Sequence, residues 1–412
     1  MRTLRDAASA CRLLPALALF AATSLAAAPS RANGFLIYDL SGEALGRASA
    51  VSADATEPAA NWFNPASLAY LEGIQASIGG TFVTARTSFE QAGTGDQTSS
   101  ERGNFVLPAL FASAKVSDEL ALGVGVYSAF GIGLTWPYDW LGRENAISAS
   151  LVALSFNPNV ALKLSDQWSV AVGFDALRST VDFQNGLPPL VGGDVRLVGG
   201  TWGFGFNAGV LYRAIPEELQ FALTYRSRVK LGFEGQADFS PENPDFGRAL
   251  PDQPGHADIT LPDIITFGVL GKPARSLKLT FEVNTVLWST YDTIDIDFES
   301  APDRALHPQG QNSFTLRAGA DYLLLDSGVH VRGGIIFDRS ALPAEGISPA
   351  LPESDRIDFA LGLGYEKQHF KIDLGYLLVN FLPAEAKGGT ESPEGTYHTT
   401  AHLLGLTAGA RF

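Results

Sequence analysis

The chain is 412 residues long, 46% hydrophobic and only 18% charged, yet past its first thirty residues no stretch offers the ~20 consecutive apolar positions of a membrane-spanning helix. Its 43 Gly and 26 Phe against one Met favour strands and tight turns over helical bundles. A net charge of −15, from 44 acidic residues against 29 Lys and Arg, repels a polyphosphate backbone and excludes nucleic acid as a partner.

The first element is a secretion signal. Arg2, Arg5 and Arg12 precede the apolar run Leu13 to Leu25, and small residues follow at Ala26, Ala27, Ala28, Ser30 and Ala32. Pro29 disfavours cleavage after Ala28, so residues 1–32 are assigned to the signal peptide with the cut after Ala32. That segment carries four Arg against one Asp, and its removal takes the charge from −15 to −18. The single cysteine, Cys11, leaves with it; lying before the apolar run, it is not placed as a lipid anchor, and no disulfide is expected.

Residues 33–72 show no period-2 run and are rich in Ala, Gly and Ser. Asp54, Glu57, Pro58, Asn61, Asn64 and Pro65 supply turn and cap chemistry. Phe35, Leu36, Leu45, Trp62, Phe63, Leu68 and Tyr70 are too apolar for a solvated leader and require burial. This segment is predicted to fold as short helices and turns inside whatever follows.

From residue 73 to the end, period-2 segments alternate with connections. Leu219, Phe221, Leu223, Tyr225, Val229, Leu231 and Phe233 are predicted on one face, with Gln220, Thr224, Arg226, Arg228, Lys230 and Glu234 on the other. Leu277 to Leu287 and Phe370 to Tyr376 repeat the pattern. A soluble sandwich alternates too, so the connections decide. Short turns near 117–119, 165–167, 214–218, 272–276, 325–328 and 366–369 alternate with longer polar loops near 91–102, 137–145, 184–194, 240–254, 300–312, 341–354 and 384–396. Six turns and seven loops imply fourteen strands with both ends on the short-turn side. The prediction is an all-β, 14-stranded antiparallel transmembrane barrel over 73–412, plugged by a hatch over 33–72, in the bacterial outer membrane. The last strand ends Leu404, Leu406, Ala408, Ala410, Phe412 on one face, the form in which such barrels meet their assembly machinery; a monomer surrounded by outer-membrane lipid is expected. A lumen this wide is either a channel or plugged.

The residues then become specific. Asn33-Gly34-Phe35, Gly42 to Ala48 with Gly46 and Arg47, and Asn61-Trp62-Phe63-Asn64-Pro65-Ala66 resemble the amino-terminal hatch of the FadL-type long-chain fatty acid transporters. Trp202 to Tyr212, Leu223 to Ser227 with Val229-Lys230, Leu261-Pro262, Trp288-Ser289 and Ser348 to Arg356 are similar in the same order. The resemblance implies a passive carrier of hydrophobic small molecules, with ligand caught by outer loops, bound in the lumen, and released by hatch rearrangement through a lateral opening. It implies hatch or gating roles for Asn33, Gly34, Phe35, Gly46, Arg47, Asn64, Pro65 and Ala66. The inward-kinked strand matches Leu120 to Trp136, with Ser128, Ala129, Phe130 and Gly131 at the opening. Phe35, Trp62, Phe63, Phe130, Arg178 and Arg317 are the candidate ligand contacts, while Thr180 and Gln311 stand where fatty-acid binders of the family place basic side chains.

Other constellations carry less. His398 and His402 would sit ~13 Å apart along a strand, too far to share an ion, and Asp292, Asp295 and Asp297 read as a solvated rim, so no metal is expected. Gly203, Gly205 and Gly209 fall on a strand with no helix after them, and no cofactor is expected. No signature of nucleophile, base and orienter points to an enzyme such as a lipid hydrolase. A general porin is the alternative function.

Overall fold

The computed structural model describes residues 34–54, 56–325 and 327–412; the predicted signal peptide with Cys11, and Asn33, lie outside them. Strand β1 (Ile74–Gln91) pairs with β2 (Gly103–Lys115), and β3 (Leu120–Thr135), β4 (Ser148–Lys163), β5 (Trp168–Gly186) and β6 (Asp194–Ile215) follow as antiparallel neighbours. Three staves are each built of two pieces: β7 (Leu219–Arg226, Val229–Ser240), β8 (Gln253–Leu261, Ile264–Ala274) and β9 (Leu277–Val286, Ile294–Phe298). Then come β10 (Ser313–Leu324), β11 (Val329–Asp338), β12 (Arg356–Lys367), β13 (Phe370–Asn380) and β14 (Glu394–Arg411). β14 returns to β1 in an unbroken register from Gln75–Arg411 to Gln91–Gly395, closing the fourteen-stranded barrel.

Alternation explains the wall. On β14, Ala401 and Leu403 face inward and are buried, while Leu404, Leu406 and Phe412 are exposed on the outer surface. Because lipid offers no hydrogen bonds, every backbone group in the wall needs a partner, which a closed ladder supplies. Rings mark one edge: Trp168 stacks on Tyr212 (4.4 Å) and Tyr212 on Phe221 (6.3 Å) beside the short turns.

The predicted face of β7 needs correction. Leu223 is exposed on the outer surface, but Val229, Leu231 and Phe233 are buried in the lumen cluster, and Arg228 and Lys230 point outward instead. Ser227-Arg228 on β7 and Pro262-Asp263 on β8 interrupt both strands at the same level, between the Arg226–Ile264 and Val229–Leu261 pairs. The interruption shifts the phase, which exchanges inside for outside. Asp263 secures it by accepting from the Arg228 backbone N–H (2.9 Å), the Arg228 Nε (2.8 Å) and the Tyr225 hydroxyl (2.7 Å).

Residues 34–72 pack against the inward face. Helix α1 (Gly42–Gly46) is capped by Ser41, whose hydroxyl accepts from the Ala44 N–H. It lies backbone to backbone on the wall: a Cβ on Gly46 would stand 2.7 Å from Gly362 Cα. Helix α2 (Ala60–Phe63) is followed by a 3₁₀ turn, Pro65–Tyr70, which touches β4 to β6.

Candidate functional site

Two arrangements define the site, a hatch pinned by buried polar contacts and a wall broken beside it. Arg47 is fully buried and pairs with Glu43 (3.0 Å) and Asp54 (2.9 Å). Asp54 also pairs with Lys278 of β9 (3.0 Å), and Glu43 with Lys371 of β13. Burial works to raise the Glu43 carboxyl, but Lys371, Arg332 and Arg47 overcome it and hold it well below the usual range. Burial pushes Glu57 up to about 7 against the pull of Lys371. Glu43, Glu57 and Asp373 come within reach of one ion, but Lys371 and Arg332 already neutralise Glu43 and Asp373.

Asn64 explains the predicted Asn-Pro-Ala segment. Its Oδ1 accepts from the Ala66 N–H (3.1 Å), capping the 3₁₀ turn that Pro65 starts, while its Nδ2 donates to Ser52 O (3.1 Å) and to Val210 O in the wall (3.3 Å). The Ala66 carbonyl accepts from Ser169 Oγ (2.8 Å). Asn61 donates to Asn157 O (2.8 Å), next to a ring of wall asparagines in which Asn157, Asn159 and Asn207 bond one another at 2.7–2.9 Å. Sequence reasoning passed over that ring, although Asn157 and Asn159, two apart on a strand, share its inward face.

The ladder between β2 and β3 is incomplete, and beyond the gap the Glu101 N–H rejoins β3 at Thr135 O (2.8 Å). The two strands pair only from Ala109–Tyr127 to Lys115–Ala121, so Gly103–Pro108 and the outer half of β3 have no partner in each other. At Tyr127 to Phe130 the register of β3 on β4 slips, and the bent strand bonds to the hatch instead. Ile37 N–H donates to Ala129 O (2.8 Å) and Gly131 N–H to Phe35 O (3.1 Å). The close approach falls at Gly133, where a Cβ would stand 2.1 Å from the Phe105 ring, rather than at Gly131, where the nearest atom is 3.5 Å away. Phe105 therefore lies across the break.

Behind the break is one apolar cluster. Phe35 meets Phe130 (6.1 Å), Trp288 (5.0 Å) and Tyr291 (5.6 Å), and Trp62 meets Tyr38 (5.8 Å) and Tyr127 (5.1 Å). Gly34, with φ +58°, sits against Trp288 and donates its N–H to Glu353 Oε1 (2.6 Å) of an outer loop. Burial lifts Glu353 to about 8. Phe63 borders the same space beside Arg226, which stacks on Trp62 (4.1 Å) and pairs with Asp175 (2.5 Å).

The predicted basic contacts separate. Arg317 is in the lumen but committed to Glu282 (3.5 Å), Asn284 and the face of Tyr38 (4.0 Å). Arg178 is corrected: it points outward from β5, over the exposed Trp202 ring (6.0 Å), and Thr180 shares that outer face. Gln311 is exposed in a loop, its N–H bonded to Ala341 O. His398 and His402 also face outward, His402 hydrogen-bonded to the Tyr376 hydroxyl (2.8 Å), and Asp292, Asp295 and Asp297 are exposed. Asp263, central to the geometry, gave no signal in the sequence, and Trp288 and Glu353 stood there only within segments similar to the family, with no role attached.

A closed fourteen-stranded barrel with residues 34–72 packed inside it is the architecture of an outer-membrane barrel protein. The family model described as "Outer membrane protein transport protein (OMPP1/FadL/TodX)" matches residues 23–412, and the chain belongs to that family. It is 23% identical to the long-chain fatty acid transport protein of Escherichia coli K12, over 91% of this chain and 93% of that one. It is 26% identical to outer membrane protein P1 of Haemophilus influenzae, over 87% and 88%. In fold it is similar to a Pseudomonas aeruginosa FadL homologue (TM-score 0.84, 17% identity, 92% and 100% covered) and to the toluene transporter TodX of Pseudomonas putida (0.73, 17%, 93% and 99%).

Proposed function

We propose that this protein carries uncharged hydrophobic molecules passively across the outer membrane, from the outer loops into the cluster around Phe35 and Trp62 and out sideways between β2 and β3. The carrying observation is the bonding of Phe35 and Ile37 to the bent strand where β2 lets go, which makes the hatch the inner lining of the break. An apolar solute gains ~25 cal/mol for each Å² taken out of water, so a path ending in bilayer rather than periplasm suits it. The names of the relatives, one for fatty acids and one for toluene, support the hydrophobic class. The basic groups bordering the cluster favour the uncharged member, since Arg226 and Arg317 already hold acids and Glu353 adds an acid at the same place.

Leu36 and Phe130 face each other as antiparallel partners. Such pairs lie ~4.5–5.5 Å apart, within disulfide range. In L36C/F130C, oxidation is expected to lower toluene uptake at least tenfold, with recovery on reduction; equal uptake in both states would sink the route. Faster uptake of oleate than of toluene by the wild type would sink the uncharged cargo. Large steady currents in planar bilayers would favour a porin instead.

A further inference from the structure

The outward faces of β5, β6 and β7 form a neutral field above the ring-stacked edge. Moving away from Trp168, Tyr212 and Phe221, the exposed side chains include Val172 and Phe174 on β5, Phe206 and Phe204 on β6, and Leu223 on β7. The first outward charges are Arg178 on β5, Arg196 on β6, and Arg228 followed by Lys230 on β7. Arg178 stands ten positions beyond Trp168. At roughly 3.4 Å per residue and a tilt near 40°, that is about 26 Å, the height of the apolar band of such barrels. Arg178 therefore lies at the headgroup level of the outer leaflet, and Lys230, nine positions beyond Phe221, reaches it through its long side chain.

Arg178 and Lys230 share a second property. Among the described residues neither has a carboxylate partner, whereas the exposed Arg196, further out, is paired with Asp182 at 2.6 Å and Arg228 is held by Asp263 at 2.7 Å. Between the two free cations stands Trp202, 56% exposed, with the Arg178 guanidinium over its ring. The three residues occupy adjacent staves, with Lys230 set about two residues below the Trp202 row. Trp202 is the cross-strand partner of Arg178, and the Lys230 carbonyl lies 3.1 Å from where a Cβ on Gly203 would be. Glu234 lies beyond them on the exposed side and would repel an anion moving higher, while the exposed Asp258 stands on the next stave opposite Gly232.

Cations at a lipid boundary are stabilised by anionic headgroups, an indole anchors at that interface, and a guanidinium fork matches phosphate oxygens. We propose that Arg178, Trp202 and Lys230 form a clamp for the phosphorylated headgroup of an outer-leaflet lipid. This accounts for a cation that the lumen does not use, and the clamp does not depend on which cargo is carried.

The test is native mass spectrometry of the full barrel in detergent, loaded with bisphosphorylated lipid A or with the same lipid after phosphatase treatment. The wild type is expected to retain the phosphorylated form, and R178Q/K230Q to retain it at least tenfold less, with R196Q as a control that binds like the wild type. Heat-modifiable gel mobility confirms that each variant is folded, and R178K, which keeps the charge, is expected to recover part of the loss. Equal retention by R178Q/K230Q and wild type would overturn the clamp, as would equal retention of the dephosphorylated lipid. Displacement by millimolar inorganic phosphate would mark an adventitious anion contact and also overturn it. Toluene uptake by R178Q/K230Q is expected at the wild-type rate, so failure of the clamp and failure of the transport route are read separately.

Discussion

Arg47→Met tests what holds the hatch inside the barrel. Arg47 is fully buried and bonds both Glu43 and Asp54. Breaking a buried ion pair from one side costs about 3–5 kcal/mol, because the stranded charge stays desolvated. Here Lys371 remains on Glu43 and Lys278 on Asp54, so the lower end applies, about 3 kcal/mol. At 1.4 kcal/mol per factor of ten, the undocked hatch becomes about 150-fold more populated. Hydrogen exchange followed by mass spectrometry reads this directly: amides of residues 42–70 are expected to exchange about two orders of magnitude faster in R47M, while those of β14 keep their protection. Adding Glu43→Gln removes one of the two stranded carboxylates and is expected to return part of the protection. Exchange within twofold of wild type in R47M would refute the claim that the buried network docks the hatch.

Asn64→Ala removes a cap and two bonds to backbone carbonyls, and a loss of about 2 kcal/mol is expected as faster proteolytic nicking near residue 66. Phe105→Ala clears the ring that Gly133 accommodates, and initial toluene uptake is expected to rise severalfold; Gly133→Leu, which must displace that ring, is expected to disturb the break without unfolding the barrel. Glu353 has a folded-state pKa near 8, above its ordinary value, so the folded protein holds its proton more tightly than the unfolded chain. Its contribution is complete below about pH 4.5 and is lost as pH rises through about 8. The thermal midpoint is therefore expected to fall between about pH 4.5 and 8, and Glu353→Gln to flatten that dependence.

The barrel was legible in the sequence because two periodicities agree: alternation along each strand, and short turns alternating with long loops between strands. The hatch was legible because Trp62, Phe63 and Leu68 cannot stay wet without a period to place them on a strand. What stayed hidden depends on phase. Alternation through Leu219 to Glu234 reads as one face, and nothing in residue type announces that Ser227-Arg228 shifts the register and sends Val229, Leu231 and Phe233 inward. Arg178 went astray for the same reason, since a single step along a strand decides between lumen and lipid. Trp288 and Glu353 reach the cluster from loops, where no period exists to place a side chain.

The final seam joins residues more than three hundred positions apart, and Phe412 exchanges backbone bonds with Ile74 directly after the hatch. The wall cannot shut until β14 has arrived, and residues 34–72 have to be gathered within the curling sheet before that zipper runs. A chain shortened by one strand would leave an unsatisfied edge on each side of a slit. Closure of the β1–β14 seam and enclosure of residues 34–72 are thus one topological event.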